Sequence, residues 1–142
     1  MRALLDVNVL IALLDQDHTS HEAARAWFAA HARRGWASCP ITQNGCVRIM
    51  AHPGYPNPLP VGAVMERLAD ATSTPQHQFW ADEVSLLDPR VADRARIHGP
   101  RQLTDLYLLA LAVCRRGCFV SFDTGIPLAA VRGAEPKHLI TI

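Results

Sequence analysis

Thr104-Asp-Leu-Tyr-Leu-Leu-Ala-Leu-Ala-Val-Cys-Arg-Arg-Gly-Cys-Phe-Val-Ser-Phe-Asp123 is the stretch that decides the fold. Its first half is apolar on nearly every face, which predicts a buried helix with Thr104 as N-cap and Asp105 to Arg116 as its body. Gly117 ends that helix. Cys118 to Phe122 then reads as an apolar strand finishing at Asp123. Upstream, another apolar strand ends in an acid, and there is no internal repeat. Residues 2–5 read as a short buried strand ending at Asp6, followed by a helix with Val7, Leu10, Ile11 and Leu14 at helical spacing. Thr19-Ser-His-Glu22 has the form of a capping box and predicts a helix to about Arg34, with Ala23, Ala24, Trp27, Phe28 and His31 on one face. Trp36 to Cys39 predicts a second strand, Pro40 to Met50 a helix, and Val61 to Ala71 another with Val64, Leu68 and Ala71 inward. His77 to Trp80 and His138 to Ile142 read as strands, and short helices are expected near 91–97 and 126–132. Strands alternating with helices define a three-layer α/β fold with a mainly parallel central sheet flanked by helices.

Composition bounds the rest. A chain of 142 residues with 49% apolar and 19% charged residues predicts one folded domain, 1–142, and excludes charge-driven disorder. Four prolines between Ala51 and Pro60 make a stiff loop and not a linker, because neither flank is long enough to fold alone. The formal charge of +1 carries no footprint of a dedicated nucleic-acid binder, yet 13 of the 14 basic residues are Arg, whose planar fork suits phosphate. The longest apolar run, Leu106 to Cys114, is about half a membrane span, and Asp6 and Asn8 interrupt the apolar N-terminus where a signal sequence would continue. A cytoplasmic location is expected. Cys39, Cys46, Cys114 and Cys118 form no C-x-x-C pair, so buried free thiols are expected instead of a zinc site.

Two apolar strands end in an acid, Asp6 and Asp123, and functional groups in open parallel sheets gather beyond the carboxyl ends of strands. Asp105 begins a helix that packs on the same sheet. Each acid alone has a structural explanation: a cap for Asp6, a dipole partner for Asp105, a turn with Thr124 and Gly125 for Asp123. Together they point to a cation site, since clustered like charges destabilise a fold unless a cation joins them. Oxygen donors without His or Cys select Mg2+ or Mn2+.

Asp6-Val-Asn-Val-Leu-Ile-Ala-Leu, Thr104-Asp-Leu-Tyr-Leu-Leu-Ala-Leu-Ala and Ser121-Phe-Asp123 resemble, in order, the signature segments of PIN-domain proteins. Pro40-Ile-Thr-Gln-Asn-Gly-Cys-Val-Arg48 and Phe79-Trp-Ala-Asp82 resemble the VapC toxins of bacterial toxin–antitoxin pairs. The resemblance covers essentially the whole chain. It implies an Mg2+-dependent endoribonuclease that cleaves RNA phosphodiester bonds, is inhibited by a VapB-type antitoxin and forms a homodimer. Carried over by position, Asp6, Asp105 and Asp123 match the family's catalytic and metal-binding acids, and Asn8 and Ser121 its small polar positions. The family's usual fourth acid, a Glu, is replaced here by Gln43, with Asn44 adjacent. Gln43 offers a neutral carbonyl to a metal, without charge or basicity. If it faces the acids, Gln43→Glu should tighten metal binding.

Arg48, one turn beyond Gln43, and Arg101, just before Thr104, are candidates for RNA contact, against the alternative of surface ion pairs. His18 and His21 beside Glu22 read as a polar turn before a capped helix. Trp36 and Trp80 read as core. Two other functions compete: a PIN fold reduced to a binding module, favoured by the missing Glu, and a phospho-acceptor receiver domain. The receiver reading needs a Lys near the phosphorylated Asp, and the only Lys, Lys137, lies in the tail segment.

Overall fold

The computed structural model describes all residues from Met1 to Ile142. Five strands, β1 (Ala3–Leu5), β2 (Trp36–Ser38), β3 (His77–Phe79), β4 (Cys118–Ser121) and β5 (Leu139–Thr141), form one sheet in the order β3-β2-β1-β4-β5. Every pairing in it is parallel, with Ala3 opposite both Trp36 and Cys118. The expected "mainly parallel" sheet is therefore wholly parallel; the one antiparallel contact is an isolated bridge between Ala92 and Val131 outside it. The helices are α1 (Val7–Leu14), α2 (His21–His31), α3 (Pro40–Met50), α4 (Val61–Thr72) and α5 (Leu103–Cys114).

The chain adds β2 and β3 on one side of β1, then returns through α5 to place β4 on the other side. That reversal makes the gap between β1 and β4 a topological switch point, where the loops leaving adjacent strands diverge and a crevice opens. Strand alternation divides the core. Ala3, Leu5, Trp36, Cys118 and Val120 meet α1, α3 and α4 on one face, whereas Leu4, Ala37 and Phe119 meet α5 on the other. Leu106, Leu108, Leu109 and Leu111 are all fully buried, each stabilising by about 1.5–3 kcal/mol on burial. Trp36, which opens β2, and Trp80, the residue after β3, lie in the core as expected.

Two glycines serve different needs. Gly35 has φ 88° and lies under the Arg2 guanidinium, which donates to the carbonyls of Trp36 and Gln76 and ties the starts of β2 and β3 together. At Gly117 the need is space: a Cβ would lie 2.5 Å from the Arg2 carbonyl oxygen and 2.7 Å from the Trp80 ring. The positive φ at the end of α5 falls on Arg116 instead, at 56°.

Several local expectations change. The capping box at Thr19 does not form. The helix starts at His21, and Ser20 at its N-cap has ψ 12°, outside the extended region that turns a hydroxyl onto the first amides. His18 Nδ1 accepts from the Ser20 amide at 3.0 Å and His21 Nδ1 meets the Ala12 carbonyl at 2.7 Å, so both histidines brace the turn. Of the face expected on α2, Ala23 is exposed and the helix proper ends at His31, continuing to Arg34 as a 3-10 turn. Thr104 is not an N-cap either. A 3-10 turn at Pro100–Gln102 feeds straight into α5, and the Gln102 side chain accepts from the His98 amide. The segments near 91–97 and 126–132 shorten to 3-10 turns at Arg94–Arg96 and Leu128–Ala130. Cys114 is exposed, while the other three thiols are buried. No helix is long and apolar enough to cross a membrane.

Candidate active site

Asp6 follows β1 and caps α1 from extended backbone (φ −61°, ψ 156°). Its Oδ1 accepts from the Val7 amide at 2.7 Å. Ser121, the last residue of β4, donates from Oγ to Asp6 Oδ2 at 2.7 Å and accepts from the Asp123 amide at 3.0 Å. One buried hydroxyl thus joins the two strand ends that flank the switch point. Asp123 Oδ1 in turn accepts from the Gly125 amide at 2.7 Å, the turn bond that its sequence neighbours suggested.

The first turn of α5 brings Asp105 to this rim. Burial raises its carboxyl to about pH 6, and the charges of Asp6 and Asp123, together with a hydrogen bond shared with Asp123, push in the same direction. Asp6 is also raised, first by burial and further by Asp123, while its bonds from Ser121 and Val7 oppose the shift. Acids separated by about a hundred residues therefore feel one another's charge, the condition that single-residue explanations do not produce.

The other candidates are placed unequally. Asn8 is exposed in the first turn of α1, at the same rim. Arg101 is exposed in the turn just before α5, four residues from Asp105. Arg48 lies in the last turn of α3, where it lines a cleft with His52 and Tyr55 beside the proline-rich loop. Gln43 turns its amide onto Ser38 Oγ at 2.9 Å, and Ser38 meets His77 Nε2 at 2.8 Å. The α3 position directed at the start of α1 is Gly45, where an added Cβ would lie 2.9 Å from Val7 Cγ2. Ser38 and His77 escaped sequence reasoning because nothing in a strand pattern marks a serine whose partner lies 39 residues away.

The donor set at the rim is carboxylate oxygen with one hydroxyl and no imidazole or thiol, which suits a hard divalent cation. No three His, Cys, Asp or Glu side chains are drawn close enough to hold an ion by themselves.

The PIN domain family pattern matches residues 3–132. The chain is 58% identical to Ribonuclease VapC44 of Mycobacterium tuberculosis, with all of both chains covered. It is 42% identical to Ribonuclease VapC38 of the same species, over 99% of each chain. In fold it is similar to two solved structures. One is VapBC2 from Rickettsia felis bound to a promoter DNA fragment, with TM-score 0.57, 14% identity and 100% and 98% of the two chains covered. The other is VapC20 of Mycobacterium tuberculosis, described as a sarcin-ricin loop cleaving toxin, with TM-score 0.62, 10% identity and coverage of 87% and 92%. The chain belongs to the PIN-domain family, among its VapC ribonucleases.

Proposed function

We propose that this chain, acting as one domain over residues 1–142, is the toxin of a VapBC-type pair: an Mg2+- or Mn2+-dependent endoribonuclease restrained by a VapB-type antitoxin. The observation that carries the metal site is the convergence of Asp6, Asp105 and Asp123 at the β1–β4 switch point, with Asp105 raised to about 6 by burial and by the other two acids. These carboxylates would share the ion with water and substrate phosphate. When bound, it supplies Lewis-acid neutralisation of charge developing on the scissile phosphate. Ser121 and the Val7 amide fix both oxygens of Asp6, so this carboxylate needs little reorganisation. Arg101, exposed in the turn that leads into α5, would bind an RNA phosphate, and Asn8, exposed in the first turn of α1, would hold water. Gln43 serves Ser38 and stays outside the proposed ligand set.

The antitoxin follows from the same charge. A tail that inserts an Arg among uncompensated carboxylates blocks metal and RNA together. A homodimer in the cytoplasm completes the reading. The test is cleavage of total RNA by purified protein with Mg2+ and with EDTA. We expect cleavage only with Mg2+, and none from Asp6→Asn. Wild-type cleavage by Asp6→Asn would remove the metal-site assignment. We expect the neighbouring gene to encode a small protein with an Arg-bearing C-terminal segment; co-expression should restore growth, and deletion of that segment should abolish the rescue. Sedimentation of the free protein reads the dimer.

A further inference from the structure

Trp27, His31 and Arg34 fall at i, i+4 and i+7 along α2 and the turn that continues it, and so share one face. They form one wall of a cavity of about 260 Å³ that is far from the acids. Its floor is Ala3 and Cys118, the first residues of β1 and β4, whereas Asp6 and Asp123 lie past the last ones. At ~3.3 Å per residue, Ala3 and Asp6 are separated by about 10 Å through the sheet.

The wall is aromatic. Trp27 and His31 stack with ring centroids 4.6 Å apart and 16° between planes. His31 Nδ1 faces the Trp27 carbonyl at 2.8 Å, which places a hydrogen on Nδ1 and leaves Nε2 of the neutral ring as an acceptor. The rim is basic. Arg34 is exposed and takes part in none of the chain's ion pairs. Lys137 meets only Glu135, at 3.2 Å, in an exposed pair of the kind worth little. An apolar floor, a stacked aromatic wall and an unpaired guanidinium together select a ligand with a flat ring and a negative charge.

We propose that this cavity binds one nucleotide unit, its base against the Trp27–His31 wall and its phosphate on Arg34 and Lys137. The space admits a single unstacked nucleotide and not a duplex, so the ligand is single-stranded or free. An unpaired residue of RNA and a free mononucleotide offer the same chemistry. RNA is favoured, because binding one residue at the far end of the sheet would orient a folded substrate over the acids. The proposal extends the ribonuclease reading without using its catalytic residues.

The test uses the full chain in EDTA, so that the acids hold no metal. Adenosine 5′-monophosphate is titrated against intrinsic tryptophan fluorescence, and a labelled single-stranded RNA octamer is followed by anisotropy. Saturable binding in either titration is expected, weakened tenfold or more in Arg34→Glu and in Lys137→Glu. In the RNA titration, each lost phosphate contact should lower the salt slope by about 0.7. Binding of RNA alone identifies the RNA source, and binding of the mononucleotide alone identifies the free ligand. Trp27→Leu should lose the fluorescence change; because it removes a half-buried ring, the surface variants carry the decision. The proposal is overturned if wild type shows no saturable binding, if Arg34→Glu binds as wild type does, or if the charge reversals convert a wild-type dimer to monomer, which would make a second copy the occupant. Cleavage in Mg2+ is measured separately, so failure there overturns the catalytic reading and leaves this one standing.

Discussion

Asp105→Asn should stabilise the metal-free protein, and only above a definite pH. In the fold its carboxyl titrates near 6, against 3.8 when unperturbed. Between those values the native state binds more protons than the unfolded chain, so stability falls as pH rises through the window and the loss is complete above about 6. A shift of roughly two units is worth about 3 kcal/mol at 1.36 kcal/mol per unit. Asp105 is only half-buried, and solvent screening reduces this to about 1–2 kcal/mol. For a chain of this length that is a rise of about 3–6 °C in Tm at pH 7.5. The gain should shrink as pH is lowered and vanish below about 4, where wild type is already neutral at this position. Thermal melts of both proteins in EDTA at pH 4, 5, 6 and 7.5 measure it. Added Mg2+ should then raise the Tm of wild type and narrow the difference. An equal gain at every pH, or a loss at pH 7.5, would refute the claim that burial, helped by the charges of Asp6 and Asp123, raises the Asp105 carboxyl in the fold.

Ser121→Ala should leave Asp6 Oδ2 and the Asp123 amide without their shared partner, costing about 1–3 kcal/mol, read as a lower urea midpoint at unchanged slope. Gly117→Ala should cost about 1–3 kcal/mol by overpacking against the Arg2 carbonyl and the Trp80 ring, and a melt like that of wild type would show that this contact relaxes freely. Gln43→Glu should leave Mg2+ affinity unchanged in a calorimetric titration, because the side chain is directed to Ser38; a tenfold tighter site would mean that it swings to the acids.

Local sequence was enough for α1, α3 and α4, because their apolar positions recur at helical spacing and Pro40 marks one start without help from distant residues. It was also enough to mark Asp6 and Asp123, since an acid that ends an apolar strand is legible in a few residues. Helix starts at His21 and Leu103 were decided elsewhere: the Ser20 backbone and the turn at Pro100–Gln102 override what Thr19 and Thr104 suggest. The strand order, and with it the switch point between β1 and β4, depends on which faces find partners across the sheet, which no window along the chain contains. Only the folded chain turns Gln43 onto Ser38, sets Arg48 in a cleft with His52 and Tyr55, and lets Ser121 bridge Asp6 and Asp123. The sequence alone determined which acids the protein carries to its strand and helix ends. Tertiary structure decided that those acids meet, because charge acts over distance in space and not along the chain.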